Sequence, residues 1–368
     1  MRVLLVALSV ASAASASSIS DEIALSSQQS TDASPRTGSV TNSLNGSFDL
    51  NEAWSLTLGA NITRSDAPVL PARSLFKNVV NDPFELFTAG VDWEASDHWT
   101  LGLSGEFSPK STQSALPSIP NVIDPTQPLR RATAYLQVDS LNSEWGARLD
   151  VGYDSAGESD LEWSFNAGFA FSATSIDQTI PDVEFVPNLS TLPVTSYTAA
   201  KLKADCQSGT ITCPPRVVSA VAAAGKQQAQ PLDSDKLSLA VTATTWVNTD
   251  WTLAADYYVY NQDPASIGVP SIALREYIGS GLAMAPLEYM LRAEWLHRWG
   301  GFSARLSLQA GRYVPGTGDS TGGAALKLQY KFSRAFRMWA NLNVLRDVDQ
   351  DGVASRSTSA ALGASYRF

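Results

Sequence analysis

Apolar and polar residues alternate with a period of two through most of this chain, in stretches of about ten residues. A representative stretch, 54–63, carries on one side Trp54, Leu56, Leu58, Ala60 and Ile62. This alternation is typical of a β-strand with one apolar and one polar face. A tilted strand of ~9–11 residues crosses a bilayer, whereas strands of soluble proteins are nearer ~5–6 residues. The pattern therefore predicts strands that span a membrane.

The alternation recurs in fourteen stretches along the chain. They are 40–50, 54–63, 84–93, 99–107, 130–139, 144–153, 161–171, 237–247, 251–261, 287–297, 302–312, 323–332, 336–345 and 358–368. In hydrocarbon every backbone polar group must be paired internally, which strands achieve only in a closed barrel. We therefore expect an all-β fold, an antiparallel up-and-down transmembrane β-barrel.

The connections between these stretches differ in length in a regular way. Six are short and alternate with long ones such as 64–83, 108–129 and 262–286. The short ones lie near 51–53, 94–98, 140–143, 248–250, 298–301 and 333–335. Because outer-membrane barrels pair short periplasmic turns with longer extracellular loops, we assign the short connections to the periplasmic side.

Tryptophan residues cluster beside the short connections. An indole combines an apolar body with one N–H donor, so it settles at the headgroup level of a bilayer. The sequence predicts an aromatic girdle at the membrane interface, formed by Trp54, Trp93, Trp99, Trp145, Trp251, Trp295, Trp299 and Phe368.

The final stretch alternates up to the last residue, with Ala360, Leu362, Ala364, Tyr366 and Phe368 on one face. In this feature the chain resembles the porin-like bacterial outer-membrane β-barrel superfamily, whose members end in an aromatic-terminated strand. The resemblance covers 39–368 as a pattern and carries no motif of one named family. It implies a location in the outer membrane of a Gram-negative bacterium, and recognition of the last strand by the outer-membrane assembly machinery.

The ends and the middle of the chain depart from the alternation. Residues 1–16 combine Arg2, an apolar stretch and a small-residue cleavage site, which predicts a signal peptide. Residues 17–38 are polar and predict a flexible N-terminal leader or a lumen-filling segment. The barrel is expected over 39–368, with 172–236 forming a long loop or a plug inside it.

Strand direction leaves the strand number open. If 154–160 is a surface loop, 161–171 and 237–247 both run inward, and one crossing is hidden in 172–236. A second crossing is hidden before residue 40, near 19–38. Two hidden strands give sixteen, the preferred number, and fourteen is the alternative, since bacterial single-chain barrels have even strand numbers.

The alternation also assigns charged side chains to the barrel interior. The first half of the chain contributes a mainly acidic set and the second half a mainly basic set. The pore-lining residues expected from this reading are Glu106, Arg148, Asp150, Glu162, Arg292, Arg305, Lys327 and Arg337. Opposed walls of charge predict a transverse field across a pore, although paired charges inside a closed barrel are the alternative.

These features favour an outer-membrane channel for passive diffusion of small polar solutes. The alternative is a structural, adhesive or assembly-type barrel without an open pore. The net charge of -10 argues against a nucleic-acid partner. No enzymatic activity, cofactor or metal site is expected, since the two histidines, His98 and His297, fall beside short turns. The expected partners are outer-membrane lipids, the assembly machinery, small polar solutes and further copies of this chain in a homo-oligomer.

Two cysteines, Cys206 and Cys213, occur in the polar segment CQSGTITC. In an oxidising compartment such spacing favours a disulfide that closes a short loop. Two free thiols are the alternative.

Overall fold

The computed structural model of the chain describes residues 16–30, 37–66, 70, 73–116, 118–155, 162–189, 191–224, 230–245, 248–264, 287–348, 352 and 354–367. Strands dominate the described residues, and two short helices lie between β11 and β12. The strands are β1 (Ala16–Ser30), β2 (Thr37–Asp49), β3 (Trp54–Ser65), β4 (Phe84–Glu94), β5 (Trp99–Ala115), β6 (Ser118–Asp124), β7 (Gln127–Leu136), β8 (Val138–Asp154), β9 (Glu162–Thr179), β10 (Asp182–Pro187), β11 (Thr195–Thr198), β12 (Gln230–Thr245), β13 (Thr249–Tyr260), β14 (Leu287–Trp299), β15 (Phe302–Tyr313), β16 (Ser320–Lys331), β17 (Phe336–Val348) and β18 (Ala354–Arg367). The helices are α1 (Ala199–Gln207) and α2 (Pro215–Ala224).

Fourteen of the described strands form a closed antiparallel barrel. Their order around the barrel is β1, β18, β17, β16, β15, β14, β13, β12, β9, β8, β5, β4, β3 and β2. The first and last strands close the barrel, with Ser20 opposite Arg367 and Ser30 opposite Ser357. The barrel fold is therefore confirmed with the alternative number of fourteen strands, and the preferred number of sixteen is wrong for the described chain.

The first strand lies in the segment that the sequence predicts as a flexible leader. Strand β1 spans Ala16–Ser30 and pairs with β2 on one side and β18 on the other. The crossing expected near 19–38 is thus present, and the leader assignment for 17–38 does not hold for these residues. Serine-rich polar strands escape a search for apolar alternation, because only Ile19, Ile23 and Leu25 mark the outer face.

One expected barrel strand belongs elsewhere. The sequence predicts a barrel strand over 130–139 and a short turn at 140–143. Strand β7 (Gln127–Leu136) instead pairs with β6 and β10 in a separate sheet. Strand β8 instead runs unbroken through 140–143 to Asp154. Strand β9 pairs with β8 on one side and with β12 on the other, so the described part of 172–236 holds no further barrel strand between β9 and β12. Period-two alternation reports a strand but not the sheet that it joins.

The separate sheet and the two helices form a small unit that we call the cap, comprising β6, β7, β10, β11, α1 and α2. Its strands run in the order β11, β10, β7 and β6. Its apolar core includes Leu136, Val183, Phe185, Leu202 and Val217, all almost fully buried. Segment 172–236 therefore supplies part of a packed unit, where the sequence predicted a loop or a plug.

The cap lies at the end of the barrel that carries the long loops. Strands β5, β8 and β9 are the longest, with 17, 17 and 18 residues, and they continue beyond their neighbours toward it. Only Gln137 separates β7 from β8, and β10 follows β9 after two residues. Among the described elements, no part of the cap packs extensively along a barrel strand. The cap is thus joined to the barrel through the long-loop ends of β5, β8 and β9.

Candidate functional site in the barrel lumen

Large apolar side chains cover the outside of the barrel. Leu103, Leu253 and Leu362 are each more than 60% exposed, and similar residues follow on the outward face of the neighbouring strands. An apolar surface of this extent is far larger than a water-soluble monomer exposes. Strands with all backbone groups paired in a closed ring are the form in which β-structure enters a bilayer.

The molecule is a closed β-barrel with the apolar exterior of a membrane-spanning barrel. Its outward aromatic residues form a belt at the short-turn end, where Trp54 stacks on Trp93 with ring centroids 5.7 Å apart. Trp99 meets Tyr153 edge-on at 5.0 Å, and Trp299 lies 6.4 Å from Trp295. Trp251 is exposed in the same belt. Among the residues that the structure describes, no helix has the length and apolarity needed to cross a bilayer.

Trp145 departs from the predicted girdle. It lies opposite Phe107 in β5, eight residues along that strand from Trp99, and packs on Phe171 at 5.0 Å. It therefore lies toward the long-loop end of the barrel, since β8 continues through 140–143, where the sequence predicts a short turn. Trp163 takes a place at the short-turn end, 5.0 Å from Tyr153. Phe368 lies outside the described residues.

The acidic wall of the lumen is built on β5, β8 and β9. Arg148 donates to both carboxylate oxygens of Asp150 at 2.6 and 2.7 Å. This ion pair lies flat over Gly168, whose missing side chain leaves the space. Ser104 of β5 lies opposite Arg148. Glu106, two residues further along β5, projects inward beside Gly146. With Arg148 and Asp150 neutralising each other, Glu106 leaves this wall with a net negative charge.

The basic wall is built on β15, β16 and β17. Arg305 and Lys327 are directly opposite each other on neighbouring strands. The Lys327 ammonium stands over the Trp339 ring, 4.7 Å from its centroid, and that ring lies flat against Gly363. Arg337 enters the same wall at the beginning of β17. Neither Lys327 nor Arg337 forms an ion pair with a residue in the described part of the chain.

These two walls face each other across the lumen. Strands β5 and β16 are seven places apart in the fourteen-strand ring in either direction, so Glu106 and Lys327 occupy opposite sides. A ring of ~8 strands is just filled by its own side chains, and wider rings enclose space. The separation of charges into two walls of a pore stays a prediction.

Two of the sequence-predicted pore residues lie apart from this arrangement. Arg292 donates to Asp256 at 2.8 Å across β13 and β14, so its charge is neutralised locally. Glu162 is the first residue of β9 and is exposed at the short-turn rim. Neither belongs to the opposed pair of walls.

A recess indents the basic wall on the side toward the long loops. It encloses about 300 Å³. Its polar lining comes from the inward face of β15, β17 and β18, namely Ser307, Gln309, Asn343, Ser357 and Ser359. Asn343 donates to Ser359 at 3.3 Å. Small residues made this recess hard to find from sequence, because serine and alanine carry no distinctive signal.

Hydrogen bonds join the connection between β3 and β4 to the cap. Glu184, in β10, is fully buried and accepts from the Ser74 hydroxyl at 2.9 Å and the Leu75 amide at 2.7 Å. Burial raises the pKa of the Glu184 carboxyl above its usual value, against the opposing effect of these hydrogen bonds. Arg73 donates to the Leu192 carbonyl at 2.7 Å.

Both histidines lie in the aromatic belt at the short-turn end. His297 is 4.2 Å from Trp299 and hydrogen-bonds to Thr249 at 2.6 Å, while His98 stacks on Tyr153 at 5.8 Å. Such contacts with belt aromatics are typical of polar residues at the membrane–water interface. Within the described ranges, no group of three or more His, Cys, Asp or Glu side chains could hold a metal ion.

Cys206 and Cys213 approach each other between α1 and α2 of the cap. Both are free thiols in this structure. Burial, followed by the interaction with Cys213, raises the pKa of Cys206 to about 11. The disulfide stays a prediction for the oxidised protein.

No family model matches this chain, and no curated protein sequence matches it. Solved structures do show similarity. The CymD monoaromatic hydrocarbon channel has a TM-score of 0.49 and 9% identity, covering 100% of this chain and 92% of that one. The Ralstonia pickettii toluene transporter TbuX has a TM-score of 0.47 and 8% identity, over 96% and 89% of the two chains. The KdgM porin has a TM-score of 0.34 and 7% identity, over 94% and 99%.

Proposed function

We propose that this protein is a channel of the Gram-negative outer membrane through which small polar solutes diffuse passively across a charged lumen. The observation that carries the proposal is the pair of opposed walls, Glu106 on one side and Arg305, Lys327 and Arg337 on the other. A field between them orders water and favours polar solutes over apolar ones.

The proposal is tested by the conductance of the purified protein in planar bilayers. We expect stable stepwise increases in current in potassium chloride, one for each inserted channel. The matched control is the same preparation after heat denaturation, which should produce no stepwise increases in current. Silence at high protein load would contradict the channel and favour the alternative, a structural, adhesive or assembly-type barrel.

Three further expectations belong to this function. A signal peptide over 1–16 would direct export, and its predicted last residue, Ala16, overlaps the first residue of β1. Strand β18 would be recognised by the outer-membrane assembly machinery through its aromatic end. The resemblance to porin-like barrels also implies association into a homo-oligomer. Each stays a prediction.

A further inference from the structure

The recess in the basic wall and the cations beside it form one continuous surface. Ser307 lies two residues from Arg305 along β15, on the same inward face, and Ala325 holds the same place relative to Lys327 in β16. A solute lying in the recess would therefore have the Arg305–Lys327 pair at one end. Its other contacts would be hydroxyl and amide groups.

The polar groups of the recess are available to a solute. Ser307, Gln309 and Ser357 have no side-chain hydrogen bond to any described residue. Hydroxyl and carboxamide groups both donate and accept, so they match alcohol groups on a ligand in either sense. A volume of about 300 Å³ is at the lower end of small-molecule pockets, which suits a solute of few carbon atoms.

The cationic end is partly neutralised by the protein, since Arg305 pairs with Glu294 and the Glu22 carboxylate of β1 interacts electrostatically with Lys327. The nearest carboxylate oxygen to Arg305 belongs to Glu294, 3.6 Å away, and the Arg305 side chain is about half exposed. Lys327 forms a contact with the Trp339 ring in place of an ion pair with any described residue. A guanidinium and an ammonium side by side match a carboxylate, which can accept from both at once.

We propose that the recess and the Arg305–Lys327 pair form a binding subsite for small hydroxylated carboxylates, the sugar acids and related hydroxy acids. The inference rests on the proposed channel function and specifies its solute class. The carboxylate binds Arg305 and Lys327, and the hydroxyl groups bind Ser307, Gln309 and Ser357. A neutral polyol lacks the first contact, and an unsubstituted fatty acid leaves the recess groups without partners.

The test compares three six-carbon probes on the open channel. Gluconate, sorbitol and hexanoate are added on the long-loop side in potassium chloride, and the concentration that half-blocks the current is measured. We expect gluconate to block at a concentration at least tenfold lower than either other probe. Equal block by gluconate and sorbitol would overturn the role of the cations, and equal block by gluconate and hexanoate would overturn the role of the recess.

Two variants and one matched control locate the subsite. Lys327→Gln and Arg305→Gln should each weaken gluconate block about tenfold or more, the change expected when one charge-assisted contact is lost. Lys236→Gln removes a lumen cation on β12, away from the recess, and should leave gluconate block unchanged. A similar loss in Lys327→Gln and Lys236→Gln would show a general effect of lumen charge and overturn the subsite.

A separate measurement distinguishes failure of the subsite from failure of the channel. Calorimetric titration of gluconate into the detergent-solubilised protein requires no conductance. Suppose that the unaltered protein shows no conductance but binds gluconate, and that Arg305→Gln abolishes this binding. That result would refute the channel and retain the subsite. Conductance without gluconate binding would refute the subsite and retain the channel. Heat-dependent migration in gels checks that each variant folds. If Lys327→Gln does not fold, Arg305→Gln alone tests the subsite.

Discussion

At the scale of single residues, Gly363 and Trp339 decide how the basic wall is arranged. The two lie opposite each other in β18 and β17, and a Cβ atom at position 363 would fall 2.3 Å from the indole ring. The ring is rigid and supports the Lys327 ammonium. We expect Gly363→Ala to displace the indole and lower the free energy of unfolding by about 1–3 kcal/mol, as overpacking does.

Urea unfolding of the protein in lipid vesicles, followed by tryptophan fluorescence, measures this change. Gly322→Ala is the matched control, because a Cβ atom there meets only the Gln309 carbonyl at 3.5 Å, an ordinary contact. It should be neutral or slightly stabilising, since alanine costs less conformational entropy than glycine. Equal effects of the two substitutions would refute a special role for Gly363.

At the scale of elements, the Glu184 carboxylate fastens the β3–β4 connection to β10 of the cap. A carboxyl group with a raised pKa binds more protons in the docked state than in the released state. Docking therefore strengthens as pH falls from the raised pKa toward the ordinary one, and weakens as pH rises through the same window. We expect protection of the Leu75 amide against hydrogen exchange, corrected for the intrinsic rate, to increase on acidification.

Glu184→Gln should remove this pH dependence, because an amide does not titrate in that range. It should also lower protection at all pH values, since one acceptor oxygen becomes an NH₂ group. Glu52→Gln is the matched control, as Glu52 is exposed in the turn between β2 and β3. A pH profile that survives in Glu184→Gln would assign the effect to another group.

At the scale of the whole molecule, the barrel and the cap are stabilised by different interactions. The cap has an apolar core of its own, whereas the barrel keeps its apolar side chains on the outside. Leu202 in α1 is 1% exposed. We expect Leu202→Ala to destabilise the cap by about 2–5 kcal/mol, the usual loss for a buried leucine, and to leave barrel assembly unchanged.

Protease resistance of the cap and heat-dependent gel migration of the barrel report the two units separately. Leu202→Ala should make the cap sensitive to protease while the barrel migrates as the unaltered protein does. Lys203→Ala, on the exposed side of the same helix, should change neither. Loss of barrel migration in Leu202→Ala would mean that the two units fold as one.

The sequence by itself determined which side of most strands faces lipid and which faces the lumen. That choice follows from residue spacing along one strand, because successive side chains point to opposite faces. For this reason the alternation assigns Leu103 and Leu362 to the outside, where both are exposed, and Arg148, Arg305 and Lys327 to the lumen. The aromatic belt at Trp54, Trp93 and Trp99 follows from the same local rule combined with the short turns.

Only the tertiary structure decided which strands pair, and so the strand number, the cap and the opposed walls. Strand β7 alternates as well as any barrel strand, yet its buried Ala132, Ala134 and Leu136 pack in the cap core. Likewise, the recess depends on the register between β15, β17 and β18, which joins small residues that are distant in sequence. Pairing and register arise from contacts between remote segments, and period-two spacing along one segment carries no record of them.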